Sequence, residues 1–272
     1  MVGRGGGLDM TLSAVGKIWN CNKYHFPIDL CIESLLDGCS EFILTVCTDS
    51  EDDTVEYCKK LEQKYQGKLK LIYSKWRENP EEGKFTMRRL ADLAIEASNG
   101  EWFVSVDMDE VYSIGEAMGL KTFLERMDPS VGGVAVNFFH HYIDIDTIIM
   151  GKLYDSSIRV GRKKFGWRSY NDGFGITGGI GKTVISPCLV NHYGFVRDLK
   201  IAIDKELRFQ TDLYKPLHSQ FPDPRLEKFK QLQVTKQEFY KGMMGDTDIL
   251  VPYERSHWPG VREWFLSIQE TI

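Results

Sequence analysis

Nowhere does the chain run apolar for the roughly 18 residues that a membrane-spanning helix requires. Residues Met1 to Asp9 are glycine-rich and lack the apolar core of a secretion signal, so residues 1–10 are expected to form a disordered lead-in, with folded sequence from about Thr11. The six cysteines (Cys21, Cys31, Cys39, Cys47, Cys58 and Cys188) include no C-x-x-C pair, which removes the usual redox and zinc spacings. Several lie in apolar runs, as buried free thiols in a reducing cytoplasm would. Basic residues are not in excess: 34 Lys and Arg against 39 Asp and Glu leave a net charge of −5. That balance does not suit a protein coating itself in nucleic acid, although it leaves room for a local basic groove. No internal repeat occurs, and low complexity is confined to residues 3–7. The expected setting is cytoplasmic, with peripheral membrane association open, no transmembrane segment and no statement about oligomeric state.

What remains is an ordinary globular composition, 42% hydrophobic and 27% charged, in 272 residues. A chain of this size buries a sizeable core without needing a metal or disulfide to fold. Apolar runs predict strands at Thr11 to Asn20, Phe42 to Cys47, Leu69 to Tyr73 and Trp102 to Val106. Helical spacing appears between them, at Phe26 to Leu36, Thr54 to Gln66 and Thr86 to Ala97. Strand and helix in alternation imply an α/β fold, a mostly parallel sheet with helices on both faces. The second half, residues 111–272, reads as a smaller mixed region with long loops. It holds a strand at Gly133 to His141, the His192-Tyr193-Gly194 segment within Val190 to Arg197, and helices at Ala202 to Leu213, Pro224 to Leu232 and Val261 to Ile268.

In open parallel sheets ligands bind beyond the carboxyl ends of the strands. Three such ends here are polar: Asn20-Cys21-Asn22, Thr48-Asp49-Ser50 and Asp107-Met108-Asp109. Two carboxylates two residues apart on extended chain point the same way. They repel unless a cation sits beside them. Mg²⁺ or Mn²⁺ suits that position, since such ions take carboxylates together with substrate phosphates. A bare D-x-D is most often a solvated turn; this one ends a buried strand in an α/β pattern.

Together these pieces resemble the nucleotide-binding half of family 2 glycosyltransferases of the GT-A type: the first strand with Asn20, the stretch Asp49-Ser50-Glu51-Asp52-Asp53-Thr54, the Arg89 helix running into Asn99-Gly100-Glu101-Trp102, and Asp107-Met108-Asp109. His192-Tyr193-Gly194-Phe195-Val196-Arg197-Asp198 and His257-Trp258-Pro259 are similar to elements of a less characterised subgroup of that family. The resemblance implies a single domain, residues 11–110 binding the nucleotide-sugar and 111–272 the acceptor. It implies a metal-dependent, inverting enzyme that moves a hexosyl or pentosyl group from a UDP- or GDP-linked sugar to an acceptor hydroxyl. Asp107 and Asp109, with His192, would hold Mn²⁺ or Mg²⁺. Asp107 would also face the ribose, Asn20 and Asp49 the nucleoside, and Lys84 and Arg89 the diphosphate. The family usually has two adjacent acids before the serine, whereas Cys47 and Thr48 precede Asp49 here. Asp172, in the loop Trp167 to Phe174, is the choice for general base, with Asp155 and Glu110 in reserve. Candidate acceptors are a glycan, a lipid-linked sugar or a modified nucleic acid.

Two other features read as structural. Gly178-Gly179-Ile180-Gly181-Lys182-Thr183 ends like a phosphate-binding loop, but Ile176 stands where its first glycine belongs, so a turn is expected. Arg159, Arg162, Lys163, Lys164 and Arg168 read as a solvated basic face by default, with a phosphorylated, lipid-linked or nucleic-acid acceptor as the alternative occupant. The competing functions are a sugar-phosphate nucleotidyltransferase, disfavoured because no glycine-rich basic loop follows the first strand, and a non-catalytic nucleotide-sugar-binding module.

Overall fold

The computed structural model describes residues 10–78, 83, 85–150, 155–171, 173, 175–209, 211–212, 235–239 and 249–269. All of the expected lead-in except Met10, and the helix expected at Pro224 to Leu232, lie outside them.

The first half alternates as its apolar runs dictate: β1 (Leu12–Ile18), α1 (Ile28–Leu36), β2 (Glu41–Cys47), α2 (Thr54–Lys64), β3 (Leu69–Ser74), α3 (Phe85–Ala97) and β4 (Trp102–Val106). All seven residues of β1 and all five of β4 are buried, which is why they read as continuous apolar runs rather than alternating ones. Pro27 precedes α1, where its missing N–H costs nothing. β1 pairs in parallel with β2 on one side and β4 on the other, and β2 pairs in parallel with β3. The spatial order is therefore β3-β2-β1-β4. The chain steps outward from β1 to β3, then crosses back through α3 to β4. That reversal opens a crevice between the carboxyl ends of β1 and β4, the position at which α/β sheets take their ligands.

Side chains alternate along these strands. Leu12, Ala14 and Ile18 of β1 join Phe42, Leu44 and Val104 in one core with α1, α2 and α4 (Glu116–Glu125). Val15, Ile43 and Phe103 face Ala94 and Ile95 of α3 in another. Gly16 leaves room for a neighbour here: a Cβ on it would come within 2.4 Å of the Met108 terminal methyl and 3.4 Å of Phe42.

The second half extends the same sheet. β5 (Glu110–Tyr112), β6 (Val131–Tyr142), β7 (Thr147–Met150), β8 (Ser156–Arg162), β11 (Lys182–Phe195) and β12 (Ile249–Pro252) complete ten strands, and β9 (Arg168–Tyr170) with β10 (Gly175–Thr177) forms a separate hairpin. β8 runs antiparallel between β4 and β6, so the two halves share one continuous sheet. β11 runs parallel to β6 and antiparallel to β5, with a register shift spanning Pro187, which has no N–H for a ladder. The architecture is thus the expected mostly parallel α/β sheet with helices on both faces and a mixed region attached. The turn expected at 178–183 is present at residues 178–181, between β10 and β11, and Lys182 and Thr183 begin β11. Gly179 lies against the Trp167 ring, where a Cβ would come within 2.2 Å, and Gly181 has φ +98°. Those glycines serve close packing and backbone geometry.

α5 (Leu199–Phe209) follows β11, and α6 (Val261–Gln269) closes the described chain. All six cysteines are buried and unpaired. No helix among the described residues is long and apolar enough to cross a membrane. Phe42 is fully buried between β1 and β3. Phe42→Ala should lower unfolding free energy by about 3–5 kcal/mol, read as a shift in urea midpoint at unchanged slope.

Candidate active site

The crevice at the ends of β1 and β4 is a cleft with an aromatic wall and a charged floor. Trp19, Phe26, Trp76, Met87 and Phe209 form the wall; Lys17, Asp107, Asp109, His192 and Lys205 reach it from the polar side. Trp19 and Trp76 stack with ring centroids 4.5 Å apart, and Phe209 stacks on Trp76 at 5.9 Å. The wall offers an apolar surface and the floor charges of both signs, so the cleft can take a ligand with an apolar part and an anionic part.

Each element places its residue for a local reason. Lys17 is an odd-numbered β1 position whose side chain is 3% exposed and ion-paired to Asp107. Asp107 also takes a hydrogen bond from Arg159 of β8 at 3.2 Å. Arg159 contacts Glu110 at 2.5 Å and donates to the Gly173 carbonyl at 2.9 Å. Gly173, at φ +94°, packs on Lys17 where a Cβ would fall 2.4 Å from its Nζ. The loop expected to supply the general base thus approaches Asp107; Asp172 itself lies outside the described residues. So does Lys84.

Asp109 is 4% exposed. Its two oxygens have different surroundings. Oδ2 accepts a hydrogen bond from Arg197 at 2.7 Å and lies 3.8 Å from Lys205 Nζ. Oδ1 faces His192 Nε2 at 3.8 Å. The β5–β11 register, which sets His192 opposite Glu110, brings that ring to the end of the D-x-D segment. Gly194 keeps the space beside them clear, since a Cβ there would stand 2.4 Å from the His192 ring and 3.4 Å from Asp109 Oδ2. Burial alone would push the Asp109 carboxyl up, but His192, Arg197 and Lys205 outweigh it and hold it well below the usual range. Burial pulls His192 down to about 3 against the opposing pull of Asp109, so its ring is neutral at pH 7. Burial and then Arg197 lower Lys205 to about 8. The other His192 nitrogen, Nδ1, lies 3.0 Å from Nδ1 of His140.

Asp109 and His192 bring a carboxylate oxygen and an imidazole nitrogen near enough to share one divalent ion. Two ligand atoms each about 2.1 Å from one ion lie at most about 4.2 Å apart, and this oxygen and nitrogen are within that span. Among the described residues no group of three or more His, Cys, Asp or Glu could hold a metal by itself. Ions of this kind use one or two carboxylates and leave the remaining positions to phosphates and water. Asp107 is turned to Lys17 and Arg159.

Asn20, Asp49 and Arg89 do not line the cleft; they shape what does. Asn20, at φ +50°, accepts a hydrogen bond from the Glu51 amide at 2.6 Å and ties the end of β1 to that of β2. Asp49 accepts from the Trp76 amide at 2.7 Å. Arg89 donates to Ser74 Oγ and the Lys75 carbonyl at 2.8 Å, and to the Trp76 carbonyl at 3.2 Å. Asp49 and Arg89 therefore fix the 74–76 segment that presents Trp76. The solvated basic face needs correction: Arg159 is 1% exposed and Arg162 6%. Arg162 pairs with Glu101 at 3.1 Å and stacks over Trp102, because each guanidinium has a partner that sequence distance conceals. Lys17, Arg159, Arg197 and Lys205 were not foreseen as site residues. Only Arg197 carried a signal, five positions after His192 in the quoted segment.

No family model matches this chain, and no curated protein does. Solved structures do. The chain is similar to the TarS 1–349 fragment of S. aureus, with 14% identity, 88% of this chain and 74% of that one covered, and a TM-score of 0.40. It is similar to the mannosyltransferase PcManGT of Pyrobaculum calidifontis, solved with GDP-Man and Mn²⁺ (14%, 83% and 70%, 0.43). It is also similar to the inositol-1-phosphate CTP transferase of T. maritima (12%, 83% and 97%, 0.42).

The neutral His192 gives a pH signature. Below its ordinary value of 6.5 the unfolded chain takes up a proton on this ring, and the folded chain does not until about 3. The unfolded state therefore binds more protons in that window, and stability falls as pH falls through it. In metal-free buffer, His192→Gln should lose less stability than wild type between pH 6.5 and 4.5, by a margin that steepens toward about 1.4 kcal/mol per pH unit, measured by urea unfolding at each pH.

Proposed function

We propose that this protein is a glycosyltransferase that moves a sugar from a nucleoside diphosphate-sugar, UDP- or GDP-linked, to an acceptor hydroxyl. The observation that carries the reading is the cleft at the β1/β4 crossover, where an aromatic wall adjoins a floor of Asp109, His192 and buried cations. A nucleoside has a flat base for the wall, and its diphosphate supplies both anionic charge for the cations and ligands for a metal. The alternating first half and the D-x-D ending of β4 support the same assignment.

In this reading Asp109 and His192 hold Mn²⁺ or Mg²⁺. The ion, when bound, offsets the charge that builds on the leaving diphosphate. Arg197 fixes one Asp109 oxygen and leaves the other toward His192. Lys17 and Arg159 hold Asp107 at the cleft, where its partly exposed carboxylate meets the donor. Asp49 and Arg89 act on the donor through Trp76. Transfer with inversion needs a base on the acceptor side to take the hydroxyl proton. Asp172 is assigned that role from its place in the sequence, next to Gly173. Glu110 is unsuited to it, being 1% exposed and bound to Arg159. A glycan, lipid-linked or modified nucleic-acid acceptor would approach from the second half.

A panel of UDP- and GDP-sugars tests this. Wild type with Mn²⁺ should hydrolyse one donor slowly and release nucleoside diphosphate. Asp109→Asn should reduce that rate by about a hundredfold or more. Release of pyrophosphate would indicate a nucleotidyltransferase, and binding with no turnover a binding module. Full activity in excess EDTA would remove the metal from the scheme.

A further inference from the structure

Four cations (Lys17, Arg159, Arg197 and Lys205) surround the three carboxylates at and after the end of β4 (Asp107, Asp109 and Glu110). Three of the four are committed. Lys17 bonds Asp107. Arg159 bonds Asp107, Glu110 and the Gly173 carbonyl. Arg197 bonds Asp109 and the carbonyls of Tyr24 and Gly194. Lys205 is different. Its nearest carboxylate oxygen, Asp109 Oδ2, is 3.8 Å away and already holds Arg197, so the ammonium has a charge partner but makes no hydrogen bond among the described residues. Its other neighbours are the faces of Phe26 and Phe209, with ring centroids 5.0 and 5.3 Å from Nζ. An ammonium carries three donors, and one whose nearest carboxylate oxygen is 3.8 Å away and already bound by Arg197 has donors to offer an anion that is not part of the chain.

Lys205 and Phe209 lie one turn apart on the same face of α5, and both line the cleft. The helix is pinned from outside by Lys23 to Asp204 at 3.2 Å and Arg208 to Glu51 at 3.1 Å. Its inner face is thus held over the ends of β1 and β4 without using Lys205.

Resting on the glycosyltransferase reading, we propose that α5 is a two-point clamp on the donor: Lys205 hydrogen-bonds the diphosphate while Phe209, against Trp76 and Trp19, backs the nucleoside. When the anomeric carbon–oxygen bond breaks, its electron pair stays on the terminal phosphate oxygen as the acceptor oxygen bonds the carbon and gives its proton to the base. An ammonium beside that phosphate offsets the added charge in a way a neutral side chain does not. Lys205 is then a catalytic residue that binds the diphosphate more strongly than it binds the nucleoside.

The experiment compares wild type with Lys205→Ala, Lys205→Gln and Lys205→Arg, measuring calorimetric affinities for UDP and GDP, their monophosphates, and uridine and guanosine, with Mn²⁺ present. Wild type should prefer one diphosphate. Lys205→Ala and Lys205→Gln should weaken that diphosphate roughly tenfold or more while changing the matching nucleoside by less than about twofold, and Lys205→Arg should recover most of the loss. Retained nucleoside binding doubles as the folding control. Wild-type diphosphate affinity in the Ala and Gln variants would overturn the assignment and leave the glycosyltransferase reading standing. An equal loss for nucleoside and diphosphate would overturn it too, because that is the mark of a merely structural lysine. A wild-type protein that binds none of the six compounds would remove the nucleotide-sugar reading, and this assignment with it.

Discussion

Two carboxylates at the end of one buried strand must be neutralised, and the elements that supply the neutralising charge are the elements that build the cleft. Asp107 draws in Lys17 from β1 and Arg159 from β8; Asp109 draws in Arg197 from beyond β11. Removing one partner of a buried pair of this kind costs about 3–5 kcal/mol, because the other charge is left without water or counter-ion. The network therefore fixes the two halves of the chain relative to each other at the point where chemistry is proposed. It also divides the work within Asp109, one oxygen bound to Arg197 and the other facing His192.

The aromatic wall depends on a second set of contacts that touch it only through the backbone. Trp76 is placed by a carboxylate on its amide and a guanidinium on its carbonyl and that of Lys75. Asp49 and Arg89 come from the end of β2 and from α3, so the platform is braced from two sides. Residues that resemble direct donor contacts in sequence are in this fold one step removed from the cleft.

The first half of the fold was legible because its signals are local. β4 was read at its observed bounds, Trp102 to Val106, and β1, β2, β3, α2 and α3 within about two residues, since burial on both faces forces continuous apolar runs. The second half was harder. α4 starts after Gly115 at φ +81° and carries Gly119 within it, which hides its Ala117, Leu120 and Leu124 face. β8 is buried yet holds Arg159 and Arg162, charges that look solvated until Glu110 and Glu101 are seen beside them. In the site, the D-x-D stood out by residue type and by its place after an apolar strand, whereas His192 was singled out through the family resemblance. Lys17 and Lys205 were not, because no pattern within the sequence tells which lysine the sheet crossover and α5 will turn inward.

The six thiols have a chemical consequence. Burial pushes Cys21 and Cys39 up to about 12, and raises the others as well, so almost no thiolate exists at neutral pH. Native protein should resist alkylating agents and peroxide alike, even with a cysteine in each of α1, β2, α2 and β11. Reactivity toward such reagents then becomes a clock for opening of the core: whichever thiol is modified first marks the part of the sheet that comes apart first.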